Sequence, residues 1–401
     1  MQAFALVLLA MIALLLAILV AIFLIEVIAA VALLQPRAER PNPEARRRIA
    51  VLVPAHNESK GLLPTLSDIR SQLLPGDRLL VVADNCSDDT AAVAQGAGAE
   101  VVERRDLAKR GKGYAMDFGV RHLALDPPEI VIFIDADCRL AETAIYRLAS
   151  SCAKADRPVQ ALYLMRAPAK SMINHQVAEF AWRVRNWLRP LGLRALGLPC
   201  QLMGTGMAFP WHVIRAANLA HGWIVEDLKL GLDLALEGHA PLFCPTAIVT
   251  SQFAPSPKGA GVQRKRWEQG HIDTIVKFAP RLLCTGIASR RWDLVALTLD
   301  LMVPPLSLLG ILVGGTFAVG ASAALFGFSS AGLSMSISSA SVLGYFVAAS
   351  LAWMKCGRDV LPASSVILIA PYVLKKVDLY YQIASRRTDK QWNRTDRTKP
   401  K

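Results

Sequence analysis

Asp135 and Asp137 stand one residue apart in DADC, directly after the apolar run 130–134 (IVIFI). An extended chain there would send both carboxylates to one side, and two such groups repel unless a cation lies between them. Hard oxygen ligands at a strand end suit Mg2+ or Mn2+ shared with substrate phosphates; a solvated Asp pair in a turn has the same sequence. A second acidic point is Glu226–Asp227, ahead of the periodic run LKLGLDLALEG. Asp227 reads either as a helix cap or as a general base beside an acceptor hydroxyl. The third constellation is QRKRW at 263–267. Gln263 and Arg266 offer fixed donors for phosphate oxygens and Trp267 offers a flat face for a sugar ring, the alternative being a basic juxtamembrane cluster. Gly204–Thr205–Gly206, in an otherwise apolar loop, fits close backbone approach to a ligand or a tight turn.

Four apolar runs are placed to carry these groups: 49–53 (IAVLV), 79–83 (LLVVA), 100–103 and 130–134. Helical patterns separate them, one near 60–74. Strands alternating with helices predict a parallel α/β sheet covered on both faces, with ligands at the carboxyl ends of the strands. Polar clusters follow three of the four runs: PAHNES, DNCSDDT and DADC. The GxGxxG and GxxxxGK[ST] phosphate cradles are both missing, which removes the dinucleotide and P-loop readings.

The remainder of the 401 residues is strongly apolar. With 53% in the hydrophobic class and 19% charged, the composition excludes a disordered chain and a disulfide-stapled mini-domain. Residues 1–34 carry one charge, Glu26, and residues 294–354 carry one, Asp300. At about 20 apolar residues per span, these lengths predict one crossing and then two. The first run is too long for a signal peptide and lacks a basic n-region. Segment 361–374 contains Pro362 and Pro371 and runs into Lys375 and Lys376, which fits an interfacial or re-entrant segment. Five arginines against two glutamates over 37–48, and seven basic against two acidic residues over 386–401, place the middle and the tail in the cytoplasm and Met1 outside. The net +13 suits anionic lipid head groups, and no nucleic-acid module accompanies it. Seven scattered cysteines without a CxxC pair predict a reducing compartment.

PAHNE after the first strand, DN after the second, DAD after the fourth, the GTG loop, ED before a helix and QxxRW before apolar helices form an ordered set. It resembles the membrane-bound family 2 glycosyltransferases, which include cellulose, hyaluronan, chitooligosaccharide and poly-N-acetylglucosamine synthases. The resemblance covers about residues 46–275. It implies an α/β fold of GT-A (Rossmann-like) type, cytoplasmic and flanked by transmembrane helices, in a multi-pass protein of a bacterial-type inner membrane. It also implies an inverting transfer from a nucleotide sugar, with UDP expected, assisted by Mg2+ or Mn2+. Pro54, Asn57, Glu58, Asp84, Lys112, Asp135, Gln263 and Arg266 would contact the donor, and Asp137 would ligate the metal. Asp227 would be the base, with Gly204, Thr205, Gly206, Glu226 and Trp267 toward the acceptor. Asn85 departs from the family's commoner DDGS-like loop, though Asp84 is retained.

The expected organisation is a transmembrane helix at 1–36, the GT-A domain at 46–275 and an interfacial segment at 276–293. Two transmembrane helices at 294–356, an interfacial segment at 357–385 and a basic cytoplasmic tail at 386–401 complete it. Expected partners are the nucleotide sugar, a glycan or lipid acceptor, membrane lipid, and export or co-polymerase subunits. A growing polysaccharide is the first acceptor reading. Single transfer to a lipid, as ceramide glucosyltransferases perform, is the second. An inactive scaffold of an export complex is the reading from another class.

Overall fold

A computed structural model describes residues 2–33, 46–168, 173–254, 256–326, 328 and 331–385. Arg37, Arg40 and the basic tail over 386–401 lie outside the described residues. The chain divides into two compact units.

The first unit in chain order is helical, formed by Met1–Gln35, Ala167–Gly197 and His271–Lys390. Residues 167–197, inside the span expected to be one GT-A domain, thus cluster with the flanking helices. Among the described residues, the sheet unit comprises 46–166 and 198–270 apart from 255.

In chain order the elements are α1 (Gln2–Ala32), β1 (Ile49–Ala55), α2 (Leu63–Arg70), β2 (Arg78–Asp84), α3 (Thr90–Gly96), β3 (Glu100–Arg104), α4 (Lys112–Leu123) and β4 (Ile130–Phe133). There follow β5 (Arg139–Leu140), α5 (Ala144–Ala155), β6 (Val159–Arg166), α6 (Ile173–Arg183), a π-helical turn over Val184–Leu188 and α7 (Arg189–Ala195). Next come β7 (Met207–Pro210), α8 (Trp211–Ile214), α9 (Glu226–Leu236) and β8 (Leu242–Gln252). The chain finishes with α10 (Pro257–Ala288), α11 (Trp292–Met302), α12 (Leu306–Leu325), α13 (Ala331–Cys356) and α14 (Ile369–Ala384).

The four strands expected from the apolar runs all form, and β1 extends through Pro54 to Ala55. They pair in parallel in the order β3-β2-β1-β4. Ile49 through Val53 are each completely buried, so both faces of the sheet are covered. The all-parallel expectation fails beyond β4. The sheet has eight strands and is mixed, continuing β7-β6-β8-β5 with β7 antiparallel to β4 and β6. The added strands are short or interrupted, and β6–β8 carries a register shift between Ala161 and Leu162. A run as short as Met207–Pro210 has no periodicity long enough to identify it.

Among the described residues, three helices are long and apolar enough to cross a membrane: Leu6–Ala32, Leu306–Leu325 and Gly332–Cys356. Segment 361–374 falls on a short 3-10 turn and the first part of α14, which is not one of the three. Within the helical unit Arg189 of α7 donates to Glu26 of α1 (2.5 Å) and to Asp300 of α11 (2.6 Å). All three side chains are nine-tenths or more buried.

Candidate active site

The site is built from loops at the carboxyl ends of β1, β2 and β4, where a parallel sheet exposes backbone and polar side chains. The loops after β1 and β2 are tied together by Thr90, which is fully buried. Its hydroxyl accepts from the backbone N–H of Glu58 and of Ser59, both at 2.9 Å, and donates to Asp88 at 2.5 Å. Asn57 accepts from the Ser87 N–H at 2.8 Å, and the His56 ring meets the Asp84 carbonyl at 2.7 Å. Asn57, Ser59 and Asn85 all take positive φ values of 55°, 45° and 52°, a conformation that Asn tolerates better than most residues.

Asp84 ends β2 and is buried. Its Oδ1 accepts from Arg104 at 2.6 Å and from the Asn85 amide at 3.0 Å. Arg104 is absent from the residues inferred from sequence. Its signal was present, because RRDLAKR is a polar cluster at the end of the third strand as well.

The two aspartates of DADC do not sit on an extended chain. The ladder between β4 and β7 ends at Phe133, and the Cys138 N–H returns to the Asp135 carbonyl at 3.2 Å, making a turn. Ala136 is buried between two half-buried acids. Asp135 Oδ1 lies 2.5 Å from Lys112 Nζ, while Asp137 Oδ2 accepts from Ser251 on β8 at 3.2 Å. Ser251 is a second contributor that sequence did not disclose, because its strand was not anticipated. Among the described residues no cluster of three or more His, Cys, Asp or Glu side chains could hold a metal ion. One or two carboxylates with no further protein ligands fit a Mg2+ or Mn2+ ion that takes its other oxygens from phosphate and water.

Lys112, the first residue of α4, is the hub. Besides Asp135 it donates to the Gly204 carbonyl at 2.6 Å and lies 3.9 Å from Glu226 Oε1. These carboxylates raise its pKa above the ordinary lysine value despite burial. Gly204 has φ 95°, and a Cβ there would lie 3.5 Å from Asp227 Oδ2 and 4.0 Å from Lys112 Nζ. Thr205 behaves differently from the acceptor contact expected of it. It is fully buried, and its hydroxyl accepts from the Asp135 N–H at 2.9 Å. Gly206, at φ 66°, is forced by crowding, since a Cβ would come within 2.7 Å of Ala161 Cβ. GTG is therefore a tight turn that presents one carbonyl and steadies Asp135.

Glu226 and Asp227 open α9, whose N-cap is Val225 with no side-chain cap bond, so Asp227 is not the capping residue. Burial raises the Glu226 carboxyl to about 7, opposed by Lys112 and reinforced by the charge of Asp227. On α10, Gln263, Arg266 and Trp267 follow i, i+3, i+4 spacing and share a face. The Gln263 side chain is buried and its Oε1 has no hydrogen-bond partner among the described residues. Burial lowers the Arg266 pKa, and the charges of Glu226, Asp135 and Asp227 oppose that shift. The structure therefore gathers Lys112, Asp135, Gly204, Glu226, Asp227 and Arg266 into one electrostatically coupled group. Pro54, Asn57, Glu58 and Asp84 stand at the ends of the two neighbouring strands.

Residues 45–270 match the model of the family described as "Glycosyltransferase like family 2". The "Probable glycosyltransferase YdaM" of Bacillus subtilis is 28% identical over 262 residues, 60% of this chain and 59% of that protein. The 4,4'-diaponeurosporenoate glycosyltransferase of Staphylococcus aureus is 35% identical over 94 residues, 23% of this chain and 24% of its own. The chain thus spans about three fifths or less of these relatives' length. Among solved structures, the mannosyltransferase PcManGT of Pyrobaculum calidifontis, in complex with GDP-Man and Mn2+, superposes with a TM-score of 0.52 at 17% identity. That match covers 86% of this chain and 99% of that one and shows a shared fold.

Proposed function

Because the chain belongs to the glycosyltransferase-like family 2, we propose that it is an inverting, membrane-embedded enzyme that moves a sugar from a UDP-sugar to an acceptor hydroxyl. The observation that carries this reading is the convergence of Asp227, Glu226, Lys112, Arg266 and Asp135 beside the Gly204 carbonyl. Asp227 takes the proton from the acceptor hydroxyl. The acceptor oxygen forms its bond to the sugar C1 as the bond from C1 to the diphosphate oxygen breaks, and the electron pair leaves with the diphosphate. Lys112 and Arg266 face that growing negative charge. Asp137, with Asp135 beside it, would hold Mg2+ or Mn2+ against the diphosphate. A bound divalent cation would supply further charge neutralisation to the leaving group.

Trp267 frames the acceptor sugar, and the three apolar helices anchor the protein in a bacterial-type inner membrane with the sheet unit cytoplasmic. A growing polysaccharide is the proposed acceptor. Single transfer to a lipid is the second reading, supported by the apolar helices. Sizing products made from radiolabelled donor separates the two. The test of the chemistry is Asp227→Asn in the full-length protein in nanodiscs. Transfer is expected to fall by about 10²–10⁴-fold with nucleotide affinity retained, the loss typical of a missing general base. A variant transferring at more than about a third of the wild-type rate would show that the proton leaves by another route.

A further inference from the structure

Asp84 and Arg104 are paired neighbours at the ends of the parallel strands β2 and β3. Their side chains are only about a tenth exposed. Arg104 Nη1 binds Asp84 Oδ1, while Nη2 binds the Lys109 carbonyl at 2.7 Å and Asp106 at 3.3 Å. The guanidinium lies 5.5 Å over the Tyr114 ring. Asn85 fastens the same corner. Its N–H donates to the Arg104 carbonyl at 2.7 Å, its side-chain oxygen accepts from the Asp106 N–H at 2.8 Å, and its amide donates to Asp84 Oδ1. Oδ1 therefore receives two donors. Among the described residues no hydrogen bond engages Asp84 Oδ2.

One fixed acceptor oxygen is a chemical specification. A uracil ring offers one N–H between two carbonyls and needs a single acceptor. Guanine offers an N–H beside an amino group, which a carboxylate meets best with both oxygens. We propose that Arg104 is a positioning residue for base recognition: by occupying Asp84 Oδ1 it leaves Oδ2 alone for the base and sets a preference for a uridine over a guanosine diphosphate. This rests on the reading of the site as a nucleotide-sugar site. Replacing Arg104 removes the constraint, and none of the groups that its guanidinium binds (Asp84, Asp106 and the Lys109 carbonyl) is a partner of Lys112.

The experiment is calorimetric titration of the full-length protein in nanodiscs with UDP and with GDP, in the presence of Mn2+. The wild type is expected to bind UDP at least about tenfold more tightly than GDP, the scale of one charge-assisted hydrogen bond. Arg104→Gln should weaken UDP by a similar factor and bring the UDP:GDP ratio close to one. In transfer assays the donor KM should rise with kcat little changed. In an Asp84→Asn background the Arg104→Gln substitution should cost nothing further, which a merely structural arginine would not satisfy. Arg104→Lys, which keeps the charge but loses the two-armed fork, should retain the fold and lose part of the ratio, and it decides the matter should the Gln variant fail to fold. Wild-type protein that binds GDP as tightly as UDP overturns the proposal, as does an unchanged ratio in the Arg104 variants. Wild-type protein that binds neither nucleotide overturns the nucleotide-sugar reading itself and this proposal with it.

Discussion

Each unit places a cation between two acids at its centre, Arg189 in the helical unit and Lys112 in the sheet unit, and the two are built differently. In the helical unit Arg189 joins Glu26 and Asp300, with side-chain exposures of 7%, 2% and 8%. In the sheet unit Lys112 joins Asp135 and Glu226, with exposures of 20%, 29% and 16%. Arg189 has a planar fork that binds both partners, and its Nη2 also binds the Asp300 carbonyl at 2.8 Å. Lys112 is a point charge on a flexible stem, strongly paired to one acid and loosely to the other. The contrast teaches that a cation between two acids is structural where water is shut out. Where solvent and ligand can enter, the same composition becomes an exchangeable electrostatic site.

The sharpest way to break that contrast is to remove each cation. Arg189→Ala leaves two acids buried without their counter-charge, which should destabilise the protein by about 3–5 kcal/mol. The measurement is the thermal unfolding midpoint in nanodiscs. Combining Arg189→Met with Glu26→Leu and Asp300→Leu should recover most of that loss, because an apolar replacement of the whole set removes the desolvation cost. Lys112→Met should leave the midpoint close to wild type while sugar transfer falls by about 10²–10³-fold, the scale of losing one donor to a developing charge. Equal unfolding shifts for the two variants would erase the distinction.

A smaller effect sharpens the comparison through pH. The Glu226 carboxyl is raised from 4.5 to about 7, so the folded protein holds that proton more tightly than the unfolded chain does. Its contribution to stability therefore declines as pH rises from about 4.5 to about 7. Glu226→Gln should accordingly be more stable than wild type at pH 8, with the gap closing toward pH 5, as read from unfolding midpoints across that range. The smallest expected effect is a control on charge pairing itself. Arg47 and Glu129 pair at 3.6 Å with exposures of 46% and 56%. Glu129→Ala should shift stability by less than about 1 kcal/mol and by less still at high salt.

Much of the candidate site is legible in the sequence because its residues follow strand ends that announce themselves. Runs such as IAVLV and IVIFI are apolar enough to be read as buried strands, so the loops after them are located by counting. Counting places the clusters PAHNES, DNCSDDT and DADC at the ends of β1, β2 and β4, where they stand; the roles of single residues within them come from the family resemblance. Thr205 was misread because a threonine between two glycines gives no sign of which way it faces. Its burial follows from β7 pairing with β4, an antiparallel contact between segments about 75 residues apart in sequence. Ser251 was missed for the same reason, since it reaches Asp137 only through the placement of β8. That Asp227 is not the residue capping α9 likewise follows only from where the helix begins.

The sequence by itself determined the chemistry available and the environments needed: four strands, three of them followed by polar clusters, a basic aromatic motif, and long nearly uncharged runs suited to lipid. Those properties are local and follow from residue type and period. It marked Glu26 and Asp300 as lone charges in apolar stretches, and it left Arg104 unmarked. Only the tertiary structure gave Glu26 and Asp300 the same partner, and only it spent one Asp84 oxygen on Arg104. Pairings of that kind depend on segments up to 163 positions apart, as between Arg189 and Glu26. Local propensity carries no record of such separations, because the free energy of burying a charge is set by whichever group the completed fold brings beside it.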